Sequence, residues 1–218
     1  MPGKDLIPPT PTTEEYGVAD DQGEVFTSDD PIDLFATWFS VAREKEMNDP
    51  NAMALATVDA TGLPDVRIVL MKDFDRRGVS FFTNSDSAKG RQLNANPWAA
   101  LCFHWKSIRR QVRFRGEIIE VSAAEADEYF AKRARGAQIG AWASQQSRPL
   151  PADGALEHAV RDLERRYKGQ DVPRPSHWTG YRLVPTAIEF WVNRPFRLHD
   201  RLSFDRAGDG WTHKRLFP

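Results

Sequence analysis

The sequence predicts a mainly β, α+β fold, an antiparallel barrel or sandwich with helices packed around it. Strand-like segments come in runs with helices between the runs, rather than in the strand–helix alternation of a parallel sheet. Across residues 111–121, Val112, Phe114 and Ile118 share one face while Arg113, Arg115 and Glu117 share the other, the period of two that a half-buried strand requires. With 40% hydrophobic residues, 13 Phe and 7 Trp among 218, the chain carries enough apolar material for one packed core.

Each element has its own signal. Residues 1–29 are rich in Pro, Thr and acids (Asp5, Glu14, Glu15, Asp20, Asp21, Glu24 and Asp29 against Lys4 alone), so a mobile acidic tail is expected. Residues 30–218 then form a single domain. Asp30-Pro31 reads as a helix cap followed by Pro at the first helical position, and Ile32, Phe35, Phe39 and Ala42 carry the helix to about Lys45. Strands follow at 53–59 and 66–72 around the turn Thr61-Gly62, and again at 79–84. The polar link Asp73-Phe74-Asp75-Arg76-Arg77-Gly78 makes 66–72 and 79–84 a candidate hairpin. A short helix is expected over 89–93, stopped by Pro97, and strands over 98–105 and 111–121. Ser122-Ala123-Ala124-Glu125 is a capping box opening a helix to about Arg133, and Leu156, Val160, Leu163 and Tyr167 mark an amphipathic one. Past Pro173-Arg174-Pro175, strands are expected at 180–184, 188–192, 197–204 and 211–216, the last two joined by Ala207-Gly208-Asp209-Gly210.

Function classes are narrowed first by what is missing. No apolar run reaches the roughly 20 residues of a membrane span, and no secretory signal opens the chain, so a cytoplasmic protein is expected. A single cysteine, Cys102, and five scattered histidines make a metal site improbable. There is no G-x-G-x-x-G, no P-loop and no G-x-S-x-G elbow. An enzyme with this inventory borrows its reactive group from a cofactor. The net charge of −1 hides a basic surplus of six over residues 31–218, a bias less dense than nucleic-acid binding usually shows, and the densest basic cluster, 109–113, also reads as a charged sheet edge.

Basic side chains on strands are the positive signal. Arg67 and Lys72 bracket an apolar run, on opposite faces of a regular strand. Ser87, Lys89 and Gly90 stand at a helix start, where free N–H groups attract anions. Arg197, His199 and Arg201 would face one way on a regular strand, an arrangement whose repulsion an anion offsets, and Trp191 offers a flat surface nearby.

At these residues the chain closely resembles the pyridoxine/pyridoxamine 5'-phosphate oxidase family. The matching pieces are Arg67-Ile68-Val69-Leu70-Met71-Lys72, Phe81-Phe82-Thr83-Asn84, Arg110-Gln111-Val112-Arg113, residues 139–144, Gln146-Ser147, Ile188-Glu189-Phe190-Trp191, residues 197–201 and Arg215-Leu216-Phe217-Pro218, in the family's order. The resemblance implies a split β-barrel, a homodimer, and FMN at the subunit interface. It implies that Arg67 and Lys89 hold the FMN phosphate, with Gln146 and Ser147 reaching over from the partner subunit. Ile68, Val69, Leu70, Met71, Lys72, Phe82, Thr83, Gln111, Trp191 and Arg201 would line the rest of the flavin site. Lys72, Tyr129 and Arg133 would grip a substrate phosphate, Arg197, Leu198 and His199 would hold the pyridine ring against the flavin, and Asp49 matches an active-site position. Arg201 or a neighbour would stabilise the reduced flavin's charge. The chain departs from the family at Ser85, Ala88, Ala134 and Ala137; Ala88 and Ala137 each remove one phosphate contact, worth roughly 1 kcal/mol. Two other readings remain: an FMN oxidase of phenazine type, which has little use for a phosphate grip, and a non-catalytic flavin or nucleic-acid module, which would need aromatics exposed between the arginines rather than Phe114 on the core side.

Overall fold

A computed structural model of the chain describes residues 12, 14 and 23–218. Most of the expected tail lies outside the described residues. Its last part does not match the expectation: Val25 is buried, Trp38 Nε1 donates to the Val25 carbonyl at 2.8 Å, and Phe26 stacks on Trp38 at 5.8 Å. The packed chain therefore starts before Asp30.

Helix α1 (Pro31–Lys45) is capped by Asp30, whose carboxylate accepts from Ile32 N and Asp33 N, and it buries Leu34, Phe35, Trp38 and Ala42. It lies against a curled antiparallel sheet of β1 (Ala52–Val58), β2 (Pro64–Leu70), β3 (Asp73–Asp75), β4 (Gly78–Asn84), β5 (Trp98–Trp105), β6 (Arg110–Glu120), β7 (Trp178–Val192), β8 (Asp200–Ala207) and β9 (Gly210–Leu216). The hydrogen-bonded order is β2-β1-β5-β6-β7-β4-β3, with β8 on β7 and β9 on β8. Phe35 makes edge or tilted contacts with Phe74, Phe103, Trp105 and Phe114, so aromatic packing joins helix to sheet.

Three strand expectations are corrected. The hairpin partner of β2 is β1 across the Thr61-Gly62 turn; β4 instead turns back on the short β3, which the sequence reading had as a link. The segments 180–184 and 188–192 are one strand of 15 residues. Pro185 interrupts neither, because it falls where β7 changes partners on one edge, from β4 (Val79 to Asn84) to β8, while β6 runs along the other edge. The β6 register shifts between Arg115 and Gly116, and a Cβ on Gly116 would lie 1.9 Å from the Val184 carbonyl oxygen, so only glycine fits that bulge. The third correction concerns 197–204, treated with the site below.

Helices α2 (Ala88–Ala95), α3 (Ala123–Ala131), α4 (Arg135–Ala143) and α5 (Ala155–Arg166) complete the fold. Helix α4 escaped the sequence reading: Ala134 gives no side-chain cap and the Gly136 and Gly140 positions dilute its pattern. Phe130, Ile139, Tyr167, Val172 and Trp178 form a second apolar cluster under α3, α4 and α5, with Phe82 and Tyr129 at its rim. The seam between this cluster and the sheet is where the candidate site lies.

Candidate functional site

Cations gather at the start of α2. Ser87 is fully buried and its hydroxyl accepts from Gly90 N, capping the helix. Lys89 reaches Gln146 Oε1 at 2.9 Å, and Thr83 Oγ1 reaches the same oxygen at 3.2 Å. Arg67 donates to Leu55 O and Thr57 Oγ1, to Gln92 Oε1 at 3.0 Å, and pairs with Asp65. Burial, and next the Arg67 charge, pull the Lys89 ammonium below the ordinary lysine range. Two cations crowded at a capped helix start make a site that favours a dianion. Gln146 meets Lys89 and Thr83 within its own chain. Ser147, next to it, is exposed with a left-handed backbone (φ 70°). Ala88 brings no polar group to this helix start.

Two cavities flank Phe82. One, about 370 Å³, is lined by Thr83, Arg133, Ala137, Gln146 and Trp178 among others; the second, about 280 Å³, by Lys72, Ser80, Tyr129 and Arg182 among others. Phe82 lines both and stacks on Tyr129 at 4.2 Å and on Trp178 at 5.2 Å. Gly180 lies opposite Phe82, and a Cβ there would meet the Phe82 ring at 2.5 Å, so the ring can lie flat on the strand. The expected phosphate grip is therefore split. Lys72 and Tyr129 share one cavity, while Arg133 lines the other, its guanidinium 5.0 Å from the Trp178 ring centre and bonded to Ala137 O. Arg133 Nε is buried without a partner, a donor still to be satisfied.

The segment joining these places is partly buried. Strand β2 ends at Leu70, so Lys72 lies past it, its backbone N–H bonded to Ser80 O at 2.8 Å. Val66 and Ile68 are about two-thirds exposed, Val69 is half-buried, Leu70 faces out, and Met71 is buried. Asn51 clasps Met71 through both its backbone carbonyl and its side-chain amide, each at 2.9 Å. Asp49, two positions earlier, is exposed and strained at φ 41°.

The remaining candidates sit elsewhere. Gln111, Trp191 and Arg201 are direct neighbours across β6, β7 and β8. Only Arg201 of the three expected strand cations is on β8; Arg197 ends a 3-10 turn (Pro195–Arg197) and His199 precedes the strand, so the common strand face is corrected. Pro195 starts the turn, and Phe196 and Arg197 have φ of 55° and 60°, which a continuous strand cannot contain. His199 packs on Trp191 at 4.5 Å, and its Nδ1 accepts from Arg194 N at 3.2 Å, which places the ring proton on Nε2. Burial, then the Arg197 charge, lower its pKa below the ordinary histidine range. Leu198 is two-thirds exposed. Arg201 is already compensated: Glu189 takes its Nε and Phe217 O its NH1, both at 2.9 Å, and Glu189 also pairs with Arg113.

Thr83 pairs with Thr179 at the start of β7, and Trp191 lies near its end. At about 3.3 Å per residue the two groups stand roughly 40 Å apart along the strand. One chain brings together Arg67, Phe82, Thr83, Lys89 and Gln146, and separately Gln111, Trp191, His199 and Arg201, but not the two sets.

The pyridoxamine 5'-phosphate oxidase family model matches residues 42–167, and the pyridoxine 5'-phosphate oxidase C-terminal dimerisation region matches residues 178–218. A pyridoxine/pyridoxamine 5'-phosphate oxidase of Caulobacter vibrioides is 57% identical over 216 residues, covering 98% of this chain and 97% of its own. That of Azorhizobium caulinodans is 58% identical over 198 residues, covering 90% and 93%. Among solved structures, PhzG from Burkholderia lata, in complex with tetrahydrophenazine-1-carboxylic acid, superposes with a TM-score of 0.82 at 32% identity, covering 88% of this chain and 94% of that one. With both family regions in order, and the split, curled antiparallel sheet that such proteins share, the chain belongs to the pyridoxine/pyridoxamine 5'-phosphate oxidase family.

Proposed function

We propose that the chain is an FMN-dependent oxidase converting pyridoxine or pyridoxamine 5'-phosphate to pyridoxal 5'-phosphate in the cytoplasm, as a homodimer with the flavin at the subunit interface. The observation that carries this is the pair of separated half-sites, each with unmet capacity for an anionic or aromatic ligand, in a chain whose relatives at 57% identity carry that activity in their name. Bound FMN supplies a two-electron acceptor that O2 restores with release of H2O2.

The chain's own residues bind and orient. Arg67, Lys89 and the α2 N-terminus fit the cofactor's phosphate: burial and the Arg67 charge lower the Lys89 pKa, Asp65 offsets only part of that, and a dianion would favour the charged ammonium. Thr83 and Gln146 extend that site, and Ser147 and the 68–71 segment border it. Lys72 and Tyr129 offer a cation and a directional hydroxyl to the substrate phosphate, with Arg133 beyond Phe82. From the far end of β7, Gln111, Trp191 and Arg201 cover the flavin and His199 presents Nε2–H to the substrate ring beside Arg197 and Leu198. The exposed Val66–Ile68 surface on edge strand β2 and the C-terminal dimerisation region supply faces through which two copies can close the gap. Asp49 borders the same segment through Asn51.

The phenazine-type reading is disfavoured by the cations and donors around Lys72, which a substrate without phosphate leaves idle. The test is to add FMN to purified protein and follow H2O2 release with pyridoxamine 5'-phosphate and with unphosphorylated pyridoxamine. A protein that stays colourless, or that oxidises both equally, refutes the proposal.

A further inference from the structure

We infer that Ser80 and Arg182, on the floor of the Lys72 cavity, are an oxyanion-binding pair that takes oxygens of the substrate's phosphate together with Lys72 and Tyr129. The inference rests on the phosphate reading of that cavity and adds two residues to it.

Ser80 and Arg182 are direct cross-strand partners on β4 and β7, so their side chains leave the sheet on one face, and both line the cavity. Both are nearly inaccessible, at 1% and 4% exposure, yet Ser80 Oγ and Arg182 Nε have no hydrogen-bond partner. Buried donors without partners are rare because they have lost water and gained nothing. Of the acids around them, Glu125 and Glu128 are already engaged, and Asp73, which also lines the cavity, lies 3.7 Å from Arg182 NH2. Glu125 accepts from Arg182 NH2 at 2.9 Å and from the Ser122 backbone, and Glu128 pairs with Lys132 at 2.6 Å. Lys72 has no carboxylate within ion-pair reach among the described residues, and the Tyr129 hydroxyl has no partner there either. The cavity thus offers an ammonium, a guanidinium N–H and two hydroxyls, against one carboxylate, Asp73, which is shared at long range between Arg77 and Arg182. A group that is all acceptor and negatively charged, a phosphate monoester, matches that set.

The experiment compares Ser80→Ala, Ser80→Thr, Arg182→Lys and Lys72→Ala as FMN-loaded proteins, reading KM for pyridoxamine 5'-phosphate and competitive inhibition by inorganic phosphate. Ser80→Ala should raise both KM and the inhibition constant about fivefold, the equivalent of one lost hydrogen bond of about 1 kcal/mol, with the loss in KM rather than kcat. Ser80→Thr should restore both, and the Ser80→Ala melting temperature should not fall. Arg182→Lys, which keeps the charge facing Glu125 but lacks Nε, should move both constants in the same direction. Wild-type constants in Ser80→Ala while Lys72→Ala raises them would overturn the inference and leave the phosphate reading standing. Wild-type constants in both would overturn both.

Discussion

Replacing Lys89 by Gln should weaken FMN binding while leaving the FMN-free protein as stable as before or slightly more so. In the free chain the Lys89 ammonium is half-buried, makes one hydrogen bond, to Gln146, and lies in the field of Arg67; burial first and Arg67 second lower its pKa. The Asp65 charge offsets only part of its desolvation, so neutralising it costs at most one hydrogen bond and that weak attraction, and removes a repulsion. The net change in stability should lie within about 1 kcal/mol of zero, which for a chain of this size moves the melting temperature by roughly 2–4 °C at most. With FMN present the balance reverses: a charge-assisted bond to phosphate contributes roughly 1.5–3 kcal/mol, so affinity should fall roughly ten- to hundredfold. Flavin fluorescence quenching on titration into the FMN-free protein reads the affinity, and a thermal melt of the same preparation reads the stability. A large drop in melting temperature with unchanged affinity would refute the argument, because Lys89 would then be holding the fold rather than the ligand.

Three further outcomes are expected. The Glu125 carboxyl, bonded to Arg182 and the Ser122 cap, titrates at about 2 instead of 4.5, so it adds stability above 4.5 that is lost as pH falls toward 2. Glu125→Gln should flatten that acid limb in urea melts by on the order of 1 kcal/mol, since the group is a third exposed; an unchanged limb would refute the pairing. Arg197→Ala should slow turnover more than it weakens FMN binding. By removing a nearby positive charge it should also raise the His199 pKa, so the loss of activity on acidification begins at higher pH, checked by the imidazole proton shifts. Finally, at pyridoxamine 5'-phosphate well below the KM of Lys72→Ala, where each variant alone turns over slowly, co-expressing Lys72→Ala with Arg197→Ala should recover about a quarter of wild-type activity, because half the dimers are mixed and half their sites carry neither change; no recovery would place both residues in one subunit's site.

What the sequence made legible follows from how local each signal is. Asp30-Pro31 and Ser122–Glu125 cap helices through contacts three residues away, and both helices start where those residues say. The alternation around Val112 and Phe114 is equally local and fixed the inward face of β6. Partner choice is not local. Whether 79–84 pairs with 66–72 or with 178–183 depends on a strand a hundred residues away, and the chain resolves it by giving β4 to β7. Pro185 is tolerated inside β7 for a related reason: a missing N–H ends a strand only where a neighbour needs that donor, and on that edge β7 is between β4 and β8. The residue identities of the site came from the resemblance, but the division of Lys72 from Arg133 by the Phe82 ring has no sequence signature, because it depends on Gly180 and Tyr129 meeting over one strand.

The strained positions connect the two half-sites. Among the described residues, non-glycine residues with positive φ are Asp49, Arg109, Ser147, Phe196 and Arg197, and all lie in connections rather than within strands of the sheet. Each costs on the order of 1–3 kcal/mol, which a loop with no constraint would shed by relaxing. Arg109 precedes β6 where its carbonyl accepts from Asn193 N at 3.0 Å, so that strain is tied to closing the end of β7. At Phe196 and Arg197 the left-handed turn leaves Phe196 half exposed and Arg197 exposed. A backbone kept strained in order to project an arginine into solvent makes sense when something outside the chain receives it. With Lys72 and Tyr129 near the other end of β7, the proposed dimer, in which the opposite end of a second copy receives Arg197, would account for that exposed arginine.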